Sequence, residues 1–319
     1  MKNKRGFEFS FGWIFAIIVG AVVLFLGIYA AMNLVKQARS TGDTFAGKEL
    51  GIILTPIETS AEDFNKPTPI SFPVETRVYN TCDSLGNFGS QKISVATKSS
   101  LGKTWEKPGV ASTFYNKYIF SASTIEGKSA TVFAKPFNFP YKVADLIFMW
   151  SNNDSYCFVN APDEMKEELL FGNVRGVNFT SSPTECKKGS KKVCFSGLTG
   201  AGCNVEVNLA SQSVKKDKQT VYYYSDKGNA LLYGAIFADS GIYECQVKRL
   251  MKRTASLALI YISKSESLAP RGCSSYLEGD LSAFVNQTLS FNSTIELRSL
   301  ELSVENIGRT NDALSCKLF

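Results

Sequence analysis

Histidine is missing from all 319 residues. Its absence removes Ser-His-Asp and Cys-His catalysis, His-ligated zinc, non-haem iron facial triads and His-ligated haem together. One-signed charge is also scarce: 35 Lys and Arg stand against 29 Asp and Glu, a formal net charge of +6. That excess is too small for a dedicated nucleic-acid binder, so nucleic acid is not expected as a partner. No CxxC spacing occurs among the cysteines, and no second apolar run reaches spanning length, the best candidate at 231–242 being broken by Asp239. What is present is globular in composition, 44% hydrophobic and 20% charged, enough to bury one sizeable core or two smaller ones.

The strongest signal is residues 11–32, a run of 22 without a charge. As a helix it would be about 33 Å long at roughly 1.5 Å per residue, enough to cross the hydrocarbon core. A cleaved signal peptide is the alternative, with an apolar region usually of about 7–15 residues, and Tyr29-Ala30-Ala31 would offer small residues to a peptidase. The length favours a signal-anchor, and Trp13 and Tyr29 stand near its two ends, where amphipathic rings favour the headgroup layer. Lys2, Lys4 and Arg5 before the run and Lys36, Arg39 and Lys48 after it leave the orientation nearly tied. The cysteines break the tie. Cys82, Cys157, Cys186, Cys194, Cys203, Cys245, Cys273 and Cys316 all follow the run, and an even number without metal spacing reads as disulfides in an oxidising compartment. The expectation is a single-pass protein of the cytoplasmic (plasma) membrane, with a cytoplasmic tail at 1–10 and the main domain at the cell surface. Sequons at Asn153, Asn178, Asn286 and Asn292 lie on the same side.

Lys4-Arg5-Gly6-Phe7-Glu8-Phe9 followed by a long apolar helix resembles the N-termini of type IV pilin-like proteins. In that family a basic residue and Gly precede a Phe and a hydrophobic assembly helix, and a Glu follows five residues after the processed Gly. Here that position is Phe11 and the nearest acid is Glu8. The resemblance implies a filament subunit. The whole layout is also similar to uncharacterised single-span surface proteins of small archaeal genomes, which implies topology and no activity.

Beyond the run, residues 33–69 are mixed and polar, with prolines at 56, 67 and 69, and read as a juxtamembrane stalk, beginning as an extension of the spanning helix. Residues 70–319 read as one α+β domain with a subdivision near 160. Alternation or β-rich composition predicts strands at 70–79, 91–97, 118–121, 129–137, 176–180, 192–196, 204–208 and 219–225. The nearly continuous apolar run 143–150 predicts a strand buried on both faces. Pro162 followed by Asp163 and Glu164 predicts a short helix at 161–170. Tyr243, Val247, Leu250, Leu257 and Tyr261, and then Leu297, Leu300, Val304 and Ile307, recur at helical steps; both seams suit docking on the sheets or packing between subunits.

Candidate chemistry is sparse. Gly189-Ser190 can turn a hairpin that brings Cys186 and Cys194 together, while a zinc site of four thiolates drawn from Cys157, Cys186, Cys194 and Cys203 would need paired short spacings. Eight cysteines allow on the order of 100 pairings, so none is assigned. Lys187, Lys188, Lys191 and Lys192, then Lys215, Lys216 and Lys218, then Lys248, Arg249, Lys252 and Arg253, are candidate contacts for acidic glycans or anionic headgroups; solvated loops and a polar helix face explain them as well. Ser100/Lys103 and Ser213/Lys216 match Ser-x-x-Lys without its companion motifs. Gly197-Leu-Thr-Gly-Ala-Gly202 lacks the P-loop ending. No catalytic, cofactor or metal residue is assigned. The expectation is a structural, adhesion or binding protein, not an enzyme, meeting another envelope protein or a surface glycan. A pilin-like filament subunit and a His-independent envelope enzyme are the alternatives.

Overall fold

Helix α1 runs unbroken over Phe11–Thr59, about 74 Å at the usual rise. Its first half is apolar on every side, and each described residue from 11 to 42 is exposed. From Asp43 the pattern changes: Asp43, Gly47, Leu50, Gly51 and Leu54 are buried at helical spacing. The computed structural model describes residues 11–59, 67–98, 104–195, 202–226 and 228–319. The 33–69 stretch expected as a stalk is therefore helical to Thr59, and its second half is docked on the head. The tail at 1–10 and residues 60–66 lie outside the described residues.

Helix α1 docks on the first sheet, built from β1 (Thr68–Asp83), β2 (Ser90–Thr97), β3 (Ser112–Phe114), β4 (Ile119–Phe120), β5 (Thr124–Asn138) and β6 (Lys142–Ser151) in spatial order β3-β2-β1-β5-β6-β4. All its pairings are antiparallel except β4 with β6. Strand β6 is buried on both faces as expected: Ile147 and Met149 turn to the α1 side, Leu146, Phe148 and Trp150 to the main core. Pro73 falls where the β1–β5 register slips between Ser71 and Thr76. Pro136 lies past the end of β1, where β5 has only β6 beside it, so its missing N–H disturbs one edge only.

The second sheet holds β7 (Tyr156–Val159), β8 (Val177–Thr180), β9 (Lys191–Phe195), β10 (Val205–Asn208), β11 (Ser213–Lys216) and β12 (Gln219–Tyr222) in order β12-β11-β10-β9-β7-β8. Strands β8, β7, β9 and β10 run parallel; β11 and β12 close the sheet as antiparallel hairpins. The crossover between β7 and β8 is α2 (Asp163–Phe171), entered at Pro162 with Asp163 and Glu164 in its first turn, and burying Met165 and Leu169.

Between the sheets lies α3 (Ala230–Phe237), whose eight residues are all buried because every one is apolar or glycine. Gly234 lets it approach Phe120: a Cβ there would stand 2.6 Å from the Phe120 ring. Helices α4 (Ser240–Leu268), α5 (Glu278–Leu289) and α6 (Leu297–Ala313) complete the core. The two periodic seams are used inside the head: Tyr243, Val247, Leu250, Leu297, Leu300, Val304 and Ile307 are buried, and Leu257 and Tyr261 pack against them.

All eight cysteines form disulfides: Cys82–Cys245, Cys157–Cys186, Cys194–Cys203 and Cys273–Cys316. The first ties the first sheet to α4. The next two cover the outer face of the second sheet, where Cys157, Val159 and Cys194 point away from the main core. Cys186 and Cys194 do not pair across a hairpin, because β9 is flanked by parallel β7 and β10, and a short 3-10 turn, Pro183–Glu185, precedes Cys186. No thiol is left for a zinc site.

Candidate functional site

Of the basic cluster on α4, Arg249 is interior and Lys248, Lys252 and Arg253 are half-buried. Arg249 is fully buried; its Nε donates to Phe88 O at 3.1 Å, Nη2 to Tyr115 O at 2.9 Å, and Nη1 to Lys117 O and Gln246 Oε1, each at 2.8 Å. Its guanidinium lies 4.7 Å from the Tyr118 ring centroid. Lys252 Nζ donates to Ser84 O and Gly86 O, and Arg253 Nε to Val143 O. Three of the four residues expected to meet an anionic partner thus satisfy loop and strand carbonyls of the first sheet; Lys248 is half-buried and has no such tie among the described residues. The chain continues inward: Gln246 Nε2 donates to Gln91 Oε1 and to Ile119 O, Gln91 Nε2 to Asn80 Oδ1, and Asn80 Nδ2 to Ser121 Oγ at 2.6 Å. A buried polar network is favourable only when its members are satisfied, and this one joins β1, β2, β4 and α4 beside Cys82–Cys245.

The other basic residues gather at one end of the second sheet. Lys187 and Lys188 are exposed on the turn before β9, and Lys192 is half-buried. Lys191 pairs with Asp154 at 3.4 Å, and its Nζ lies 5.4 Å from the Tyr156 ring centroid. Lys216 is buried, and its Nζ donates to Ala235 O at 2.7 Å, Ile236 O at 3.4 Å and Ala238 O, closing the C-terminus of α3. Burial pulls its pKa down to about 8 against a smaller upward pull from Asp239. Lys191 and Lys216 share a cavity of ≈ 170 Å³ with Tyr156, Asn204, Asp217 and Asp239. Two cations face two carboxylates there, so no net anion site results.

Ser213 and Lys216 stand three apart on β11, a spacing that sends side chains to opposite faces: Lys216 turns to the core and Ser213 to the other side, near Ser211 Oγ at 2.8 Å. A Ser/Lys nucleophile pair is not assembled there. Ser100/Lys103 and nearly all of the glycine-rich 197–202 segment lie outside the described residues. All four sequon asparagines are exposed.

A groove of ≈ 780 Å³ is lined by Asn138, Pro140, the loop Tyr224, Ser225 and Asp226, and one face of α6 with Leu302, Glu305, Asn306, Arg309 and Asp312. Strand β5, the loop before α3 and α6 converge on it. Tyr224 is half-buried edge-on to Phe139, and burial with nearby Asp226, Glu305 and Glu301 pushes its phenol up to about 12. Arg309 Nη2 donates to Asn306 Oδ1 at 2.9 Å. One fixed ring, two amides, the carboxylates of Glu305 and Asp312 and a guanidinium suit hydrogen bonding to a polyhydroxylated or amide-bearing surface. Sequence reasoning missed this groove because its residues are scattered over three segments; only α6's polar face was visible.

No protein-family model, curated protein or solved structure matches the chain.

Proposed function

We propose that this protein is a single-span, membrane-anchored cell-envelope protein whose head presents a binding surface outside the cytoplasm. The carrying observation is α1: one helix is bare and apolar over 11–32 and docked on the head by one face from Asp43 onward. From Met32 to Asp43 is about 16 Å of helix, so the head stands just clear of the headgroup layer and cannot swivel on a loop. Four disulfides support placing it in an oxidising compartment. The groove at Tyr224 and α6 is the contact surface, and its partner is a surface glycan or a polar face of another envelope protein. Protease added to intact cells should release the head and leave a short membrane fragment; complete protection of the head would reverse the orientation. Full-length protein in nanodiscs should bind glycan arrays or envelope extracts, with Tyr224→Ala and Arg309→Ala weakening capture.

A filament subunit is the second reading. It is favoured by Phe45 and Ile52, which are 65% and 61% exposed on the outward side of the docked half of α1. Electron microscopy of cells expressing the full chain, with and without Gly6→Ala, separates the readings.

A further inference from the structure

Lys135 stands near the C-terminal end of β5 on the face toward the main core and is 5% exposed. Its Nζ meets Oε1 of Glu168 on α2 within hydrogen-bonding reach, and lies 4.6 Å from the Tyr233 ring centroid. Glu168 Oε2 accepts a hydrogen bond from Tyr233 Oη at 2.6 Å. Asp226, in the loop entering α3, closes the group. One of its oxygens accepts from Ala230 N at 3.1 Å, and Oδ2 is buried without a hydrogen-bond partner among the described residues. Lys135 Cε and Asp226 Oδ2 lie 3.8 and 3.9 Å from the position a Cβ on Gly228 would take, and the two groups interact electrostatically.

An amine, a carboxyl and a second carboxyl are thus held together in a wall of aromatic rings, with Phe133 and Phe237 packed on Tyr233. We propose that Lys135 and Glu168 close an intramolecular isopeptide bond, with Asp226 as the proton-transferring group. Burial favours a neutral Lys135 amine, with Glu168 offsetting in part, and a protonated Asp226. A desolvated lysine is a nucleophile and a desolvated carboxylic acid a proton donor.

The ion pair first becomes amine and carboxylic acid by internal proton transfer. The Nζ lone pair then adds to Cδ of Glu168, forming the C–N bond while the carbonyl π pair moves onto Oε2, where the Tyr233 hydroxyl stabilises it. Asp226 delivers its proton to Oε1, which leaves as water as the C–O bond breaks, and the carboxylate takes back a proton from nitrogen. Amine and acid become amide and water; no oxidant or cofactor enters. The product ties β5 to α2, a junction no disulfide reaches.

The test is peptide mapping of the full-length protein, purified from its membrane, reduced and denatured. The expected result is one branched peptide joining the Lys135 and Glu168 segments, lighter than the two together by one water. Glu168→Gln should give the same branched product by losing ammonia. Lys135→Arg should give two linear peptides. Asp226→Asn, checked by circular dichroism for retained fold, should lower the linked fraction at a fixed time at least tenfold. Linear peptides from the wild type, with Lys135 acetylated on denaturation, would mean an ion pair only and overturn the proposal; unchanged linkage in Asp226→Asn would overturn the role of Asp226.

Discussion

Gly109 lies against the backbone of α1 at Thr44: a Cβ on it would stand 2.5 Å from Thr44 N and 2.8 Å from Asp43 C. The neighbouring Val110 N donates to Thr44 Oγ1 at 3.0 Å, and Asp43 Oδ2 accepts from Thr97 N at 3.3 Å. Helix and sheet are therefore seated by backbone contact. Gly109→Val should destabilise the head by about 1–3 kcal/mol through overpacking, read as a lower denaturant midpoint, and should speed proteolysis within 43–59. An unchanged midpoint would show that α1 does not rest there.

Arg249→Ala should be among the most damaging substitutions, because it strips a donor from the Phe88, Tyr115 and Lys117 carbonyls and from buried Gln246 at once, costing about 3 kcal/mol. Lys187→Ala and Lys188→Ala, on exposed side chains, should stay within about 0.5 kcal/mol. Chemical denaturation of the three variants checks the contrast, and equal effects would place Arg249 on the surface.

Replacing both Cys82 and Cys245 by Ala opens a loop of 163 residues and should cost about 2–5 kcal/mol. Opening Cys194–Cys203, which closes a separation of 9, should cost less on chain-entropy grounds. Melting curves of the two double variants order them.

Stability should depend on alkaline pH with a definite sign. Lys216 has a folded pKa near 8, below its ordinary 10.5, so between those values the unfolded chain binds more protons and stability rises with pH. Below about pH 8 both states are charged and the burial cost is fully present. Above about pH 10 the buried tyrosines reverse the trend. Tyr141, Tyr156, Tyr233 and Tyr243 are raised by burial, so the unfolded chain loses those protons first. Denaturant midpoints should therefore peak near pH 10, and Lys216→Met should remove the rise from pH 8.

Ser213→Ala should leave both stability and any cellular phenotype intact, since its hydroxyl faces away from Lys216. A lost phenotype with a preserved fold would favour an enzyme.

Local pattern was enough for the regular elements. The 3.6-residue seams of α4 and α6, the acids after Pro162 and the two-sided apolar run of β6 each state their own conformation, because burial of one face or both is written in the order of residues. The even cysteine count likewise announced disulfides. Pairings between distant segments left no such mark. Parallel β9 beside β7 redirected Cys186 to Cys157; the short strands β3, β7 and β11 had too few residues to show a period; and α3, apolar on all sides, gave none at all. Asp43, Gly47, Leu50, Gly51 and Leu54 do recur at helical steps, but in a stretch whose prolines and polarity pointed to a linker. Arg249 looked like one charge in a basic cluster, although it follows Gln246 by three on the buried face of α4. A cation's role depends on which carbonyls stand opposite it, and those belong to Phe88, Tyr115 and Lys117, more than a hundred residues away. Composition and period settled the segments with a sustained pattern; only the tertiary structure decided the rest and which segments meet, because contact between remote residues is a property of the closed core and not of the order in which they are joined.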